Sequence, residues 1–123
     1  MKRDLDLFRA ILLHVEDVTD INTDMRDFGN LGALYNEEDI LGHFKLLFDA
    51  HYIQGKFSSG TGGYHNLSVR RLTNEGHDYL DSVRDLKIWK ATKVNLAKVG
   101  GATTLAVVQD VASSVATKLL GLN

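Results

Sequence analysis

Five histidines are the side chains most suited to holding a metal ion or moving a proton. They are His14, His43, His51, His65 and His77. Their spacing gives no HExxH motif and no pair four residues apart, the arrangements that place two imidazoles on one face of a helix. The chain has no cysteine, which excludes disulfides, thiolate nucleophiles and every zinc site that needs sulfur. We therefore predict neither a metal nor a cofactor.

The remaining catalytic patterns are also missing from the sequence. The glycine-rich run Gly60–Gly63 is followed by strand-like residues, whereas a phosphate-binding loop of the GxxxxGK[ST] type leads into a helix. Serines occur without a GxSxG elbow. The carboxylates fall in an Asp- and Asn-rich segment or at helix starts, where solvation and the helix dipole account for them. The sequence predicts a protein that is not an enzyme.

Length and composition predict one globular domain with an appendage. The chain has 123 residues, 44% of them hydrophobic and 24% charged, which is ordinary for a folded protein. No apolar run suited to export follows Met1, so we expect a soluble cytoplasmic protein. The most apolar region, 102–122, is interrupted by Gln109, Asp110 and Lys118. This predicts a packing helix and no membrane segment.

Hydrophobic periodicity predicts two helices in the first half of the chain. The first spans Arg3–Asp17, with its apolar residues at helical spacing: Leu5, Phe8, Ile11, Leu12 and Val15. The segment from Val18 to Tyr35 is predicted to be a loop with one short strand. Asn36 is a suitable N-cap for a second helix, Glu37–Ala50. In that helix, the predicted apolar face includes Phe48, which we assign to the core.

A hairpin and three further helices are predicted in the rest of the chain. Strand-like residues in Tyr52–Phe57 and Tyr64–Arg70 flank the glycine-rich turn. Thr73 caps a helix that runs to about Arg84. The last two helices are Leu86–Val99, anchored by a buried Trp89, and Thr103–Leu120, with a break at Gly100-Gly101.

This order predicts a mainly α protein with a small β-hairpin, of α+β class. The specific architecture that we expect is a winged helix-turn-helix domain over residues 1–84. A helical C-terminal extension follows over residues 85–123.

Two strings support this architecture by resemblance. His43–Ile53 resembles the end of the recognition helix in bacterial winged-helix regulators, typically HLKxLxxAGLI. Arg71–Leu80 resembles the LTxxGxxxL string that closes the wing in those proteins. In the first string, His51 stands where the pattern has glycine, which predicts a left-handed residue after the helix.

Over nearly its whole length, the chain resembles a more particular group. The opening Met1–Leu7, the string Arg71–Leu80, the pair Arg84-Asp85 and the later Ile88–Lys90 are similar to the family known as domain of unknown function 2513. That family is associated with phages and prophages and has no established activity. The resemblance therefore implies a phage or mobile-element setting in bacteria and no particular reaction.

The charges are unevenly distributed and suggest two kinds of partner. From Glu16 to Asp39 there are eight acids and one base, and from Arg84 to Lys98 five bases and one acid. The first hypothesis is a DNA-binding regulator or accessory factor whose basic residues contact phosphates. The candidate contacts are Lys45, Lys56, Arg70, Arg71, Lys87, Lys90 and Lys93.

Three acids at the start of the candidate recognition helix favour a different partner. Glu37, Glu38 and Asp39 would repel phosphate where base-reading residues usually lie. The alternative hypothesis is a protein-interaction module, a phage-host or anti-defence factor. It would dock on a basic host or phage protein through the acidic block from Glu16 to Asp39, with Glu37, Glu38 and Asp39 as the candidate contacts.

The last helix carries an apolar stripe that must be buried. Its residues are Leu105, Val108, Val111, Val115 and Leu119, at spacings of three and four. We predict that this stripe forms the interface of a homodimer or packs against the first helix.

Overall fold

The computed structural model describes residues 1–59, 65–100 and 103–121, without the side chains of Ser59 and His65. The protein is mainly helical and carries a two-stranded antiparallel hairpin, which confirms the α+β class. The chain forms two compact units, Met1–His77 and Asp78–Asn123. The winged-helix architecture and the predicted boundary after Arg84 stay predictions, and the predicted turn at 60–63 lies outside the described residues.

Helix α1 (Leu5–Val18) confirms the first predicted helix. The Asp4 side chain caps it by accepting a hydrogen bond from the Leu7 backbone N–H at 3.1 Å. Such a cap satisfies one of the N–H groups that have no partner inside a helix. The buried face agrees closely with the predicted one and comprises Leu7, Phe8, Ile11, Leu12 and Val15.

The segment predicted as a loop contains a one-turn helix, α2 (Leu31–Leu34). Sequence periodicity missed it because four residues are too few to show a repeat. The predicted short strand is a single pairing in which Met25 and Val69 exchange both backbone hydrogen bonds, at 2.7 and 3.0 Å. This pairing attaches the loop to the hairpin.

Helix α3 (Glu37–Asp49) begins where it was predicted to begin. The Asn36 side chain accepts a hydrogen bond from the Asp39 backbone N–H at 2.8 Å. Phe44 and Leu47 are buried as expected, but Phe48 is only half-buried. Phe48 therefore lies only partly in the core, whereas we assigned it fully to the core. His43, which is 1% exposed, completes the buried face instead.

His51 adopts the predicted left-handed conformation, with φ at 61°. We expect His51→Gly to raise the free energy of unfolding by about 0.5–1 kcal/mol. The left-handed region costs an L-residue roughly 1–2 kcal/mol, and the extra freedom of glycine in the unfolded chain offsets about 0.5–1 kcal/mol of that gain. Urea denaturation measures the difference.

The matched control for this change is Ala50→Gly, at the neighbouring exposed residue with φ at −80°. Here glycine relieves no strain, so the control is expected to lower stability by roughly 0.5–1 kcal/mol. Equal effects of the two substitutions would contradict the prediction.

Strands β1 (Ile53–Ser59) and β2 (His65–Leu72) form the predicted hairpin. The register shifts between Gln54 and Gly55, so that β2 carries one more residue than β1 at this point. Gly55, with φ at 158°, lies against the Ser68 carbonyl, where a Cβ atom would have no room. Such a bulge turns two successive residues of one strand to the same side.

Helix α4 (Asn74–Val83) begins at the predicted cap, because the Thr73 hydroxyl accepts a hydrogen bond from the Gly76 N–H at 3.1 Å. In the second unit, α5 (Leu86–Ala97) and α6 (Leu105–Leu119) pack against each other. Trp89 is 2% exposed, as predicted for a core anchor. None of the helices in the described ranges is both long and apolar enough to cross a membrane.

Candidate nucleic-acid interface

The hairpin has one buried side and one polar, solvent-facing side. Ile53, Val69 and Leu72 are buried. The alternating residues face solvent and are exposed or half-buried: Gln54, Lys56, Ser58, Asn66 and Ser68. The bulge leaves both Arg70 and Arg71 exposed, although strict alternation would have turned one of them inward.

Three cationic side chains meet on the solvent side, and we call this surface the basic face. Arg26, Lys56 and Arg70 line one shallow depression, together with Gln54, Asn66 and Ser68. The cations come from three chain segments. Lys56 lies on β1 and Arg70 on β2, while Arg26 follows the residue that pairs with Val69. The structure thus brings together two predicted DNA contacts and one residue that was not predicted.

One carboxylate lies among the residues of the basic face. Asp24 is half-buried and lines the same depression, opposite Arg70 in the pairing around Met25 and Val69. The net charge of the depression is therefore lower than its three cations alone would give, yet it remains positive.

Arg71 differs from Arg70 in its contacts. Both arginines line a neighbouring depression with Glu16, Asp20 and Asp24, but only Arg70 also lines the depression of the basic face. The Nη1 of Arg71 donates to the Leu72 carbonyl at 2.9 Å. The backbone N–H of Asn22, followed by the Thr23 hydroxyl, lowers the pKa of Asp20 below its ordinary range, so that this carboxylate stays charged. Arg71 is thus the predicted hairpin contact least available to a phosphate.

The acidic start of α3 adjoins the basic face. Arg26, Asn66 and Ser68 also line a third depression, which Glu37 lines as well. Glu37 and Glu38 are exposed, whereas Asp39 is half-buried and accepts a hydrogen bond from the Asn36 side chain at 3.0 Å. Lys45 is exposed on α3 and lines none of these three depressions.

The predicted basic residues of α5 belong to the second unit and are not equivalent. Lys87 and Lys90 are exposed. Lys93 is half-buried, and its Nζ lies 5.7 Å from the centroid of the Trp89 ring. This distance allows a cation–π interaction, so part of the role of Lys93 is to stabilise its own helix.

The predicted interface stripe on α6 is largely covered within the chain. Val108 and Val115 are buried, and Leu105 and Val111 are half-buried. Leu119 is the one exposed residue among the five predicted ones, with 51% of its surface accessible. The homodimer stays a prediction, and in this conformation Val108 and Val115 offer it no surface.

No metal-binding group emerges from the described residues, among which no three His, Asp or Glu side chains are suitably placed. The buried histidine has a structural position instead. The Asp4 backbone N–H donates to Nε2 of His43 at 2.8 Å, and Nδ1 lies 2.7 Å from the Asp39 carbonyl. Since an N–H can only donate and a carbonyl can only accept, the hydrogen of a neutral ring must be on Nδ1.

Arg26 is the residue that sequence reasoning missed. It is the only base between Glu16 and Asp39, and counting charges in that block hides it. The alternation of polar and apolar residues in Asp24-Met25-Arg26 is the available signal, since it is typical of a short strand with both charged side chains on one side.

Comparisons with known proteins give a consistent assignment. No solved structure matches the chain. A Haemophilus influenzae protein named "Uncharacterized protein" is 30% identical over 120 residues, covering 98% of this chain and 99% of that protein. The family model described as "Hypothetical protein (DUF2513)" matches residues 2–103. The chain therefore belongs to the family of domain of unknown function 2513, as the strings Met1–Leu7 and Arg71–Leu80 predicted.

Proposed function

We propose that this protein is a non-enzymatic winged-helix protein of phage or prophage origin that binds duplex DNA in the bacterial cytoplasm, as a regulator or accessory factor. The observation that carries the proposal is the basic face. Two of its three exposed cations, Lys56 and Arg70, lie on a hydrogen-bonded hairpin, the element that contacts DNA as the wing in winged-helix proteins.

The order of elements supports the winged-helix assignment. A strand-like pairing at Met25 stands between α1 and α2, and only Tyr35 and Asn36 separate α2 from α3. The hairpin follows α3 directly. A short helix, a tight turn and a second helix form a helix-turn-helix, in which the second helix is the recognition helix.

Electrostatics favours the hairpin as the first point of DNA contact. Phosphate neutralisation by Lys and Arg releases counterions and supplies most of the affinity for DNA of any sequence. Lys56 and Arg70 are both exposed and line one depression. Neither has a carboxylate within ion-pairing distance among the described residues.

We expect the double variant Lys56→Ala, Arg70→Ala to bind a mixed-sequence DNA duplex more weakly than the wild type. Log affinity falls as log salt concentration rises. Loss of two phosphate contacts should make this slope less steep by about 2. Fluorescence anisotropy with a labelled duplex, from low to moderate salt, measures both quantities.

The matched control is Lys98→Ala, Lys118→Ala, which removes the same charge from two exposed lysines outside the predicted contacts. It should leave the slope nearly unchanged. If the wild type shows no salt-sensitive binding, the proposed function is wrong.

Exposure of Glu37 and Glu38 favours a second candidate function, docking on a basic host or phage protein. Asp39 contributes less to such a surface because it is bonded to the helix cap. A partner captured from host lysate by the wild type should be lost by Glu37→Gln, Glu38→Gln. Recovery of the same partner by both proteins would count against this candidate.

A further inference from the structure

We infer that the basic face holds duplex DNA by its sugar-phosphate backbone, with Arg26 as the third cation, and that α3 does not read the base sequence. This inference rests on the proposed function and adds the mode of binding. The inferred ligand is duplex DNA of any sequence.

The position of Arg26 is fixed by the backbone. Met25 and Val69 exchange two hydrogen bonds, so Arg26 stands opposite Ser68 in an antiparallel pairing. The Arg26 side chain is exposed and lines the depression that Lys56 and Arg70 also line. A guanidinium in this position can bond a phosphate through two N–H groups at once.

The other side chains of the basic face also suit an anion. Gln54, Asn66 and Ser68 each carry a hydrogen-bond donor. Phosphate and sugar oxygens accept from side chains of these types, which orient a protein on DNA without distinguishing bases. Among the described residues that line the depression, Asp24 is the one carboxylate. It should weaken binding of any sequence.

The net negative charge of helix α3 opposes its insertion into a groove of the DNA. Four carboxylates and one ammonium group lie within Glu37–Asp49, which gives a net charge of −3 with His43 neutral. Glu37 and Glu38 are exposed at the end where recognition helices usually meet base edges. When DNA phosphates are bound at Arg26, the carboxylates of Glu37 and Glu38 repel the nearby sugar-phosphate backbone instead of anchoring it.

The test compares Arg26→Ala, Arg26→Lys and the exposed control Arg3→Ala with the wild type, using anisotropy on several unrelated duplexes. Arg26→Ala should reduce the salt slope by about 1 on every duplex, while Arg26→Lys should retain the slope because it keeps the charge. Arg3→Ala should change little. Glu37→Gln, Glu38→Gln should bind all the duplexes more tightly, and Asp24→Asn should do the same.

Other outcomes separate this inference from the proposed function. Duplex binding with more than a tenfold sequence preference that Glu37→Gln, Glu38→Gln abolishes would place α3 in the groove and overturn the inference alone. Duplex binding that Arg26→Ala leaves unchanged would also overturn it, as would tighter binding of single-stranded RNA than of duplex DNA. Absence of any DNA binding by the wild type would remove the proposed function itself.

Discussion

Replacing Gly76 by alanine is expected to lower the free energy of unfolding by about 2–3 kcal/mol, the upper part of the range for overpacking a tight contact. A Cβ atom at this position would lie far inside van der Waals contact with the Tyr52 carbonyl oxygen, and 3.0 Å from its carbon. Both partners are backbone, so no side chain can turn away to make room. The same carbonyl oxygen accepts the Thr73 N–H at 3.0 Å, a bond that any outward shift of α4 would lengthen.

Chemical denaturation of Gly76→Ala beside Gly32→Ala tests this explanation. Gly32 lies in α2 and is exposed. Apart from its chain neighbours and the backbone of its own helix, no atom lies within 4 Å of the position that an alanine methyl group would take there. Alanine at Gly32 should be neutral or stabilise by roughly 0.5–1 kcal/mol, because it restricts the unfolded chain. A similar change in stability at both positions would show that the close approach to Tyr52 does not decide the outcome.

The second large effect is expected at His43, where alanine should cost about 3 kcal/mol. Removal of the ring leaves the Asp4 N–H without its acceptor, which alone costs roughly 1–3 kcal/mol. It also removes the contact with Phe8, whose ring centroid lies 4.6 Å from that of His43, and leaves a cavity in the core.

Two further variants isolate the hydrogen bond at His43. His43→Gln can still present an acceptor to Asp4 and should retain more stability than His43→Leu, which cannot. His77→Ala, at a half-exposed histidine, should change stability by less than about 0.5 kcal/mol. Amide exchange at Asp4 should accelerate in His43→Leu and not in His77→Ala; unchanged exchange in His43→Leu would refute the role assigned to the ring.

Local rules predicted most of the helices and the hairpin. Asn36 and Thr73 cap their helices because a short polar side chain can bond a free N–H three residues on. The left-handed His51 followed from comparison with a glycine in a family pattern. These features depend on neighbours in sequence, which is why they could be predicted.

Features that depend on distant residues could not be predicted in the same way. Helix α2 is too short for periodicity, and the burial of His43 depends on Asp4, the cap of another helix. The candidate site shows the same limit. Charge counting selected Lys56 and Arg70 but could not place Arg26 beside them, because the Met25–Val69 pairing joins segments far apart in the chain.

The charge of Lys56 also has a consequence for the behaviour of the protein at high concentration. In the described part of the chain, β1 pairs with β2 on one side and with no strand on the other. An edge strand of this kind is one that a second molecule could extend into a larger sheet. A lysine on such an edge strand opposes that association, because strand addition would bring like charges together or bury the ammonium group. The lysine on β1 therefore helps to keep the hairpin from aggregating, whatever else binds there.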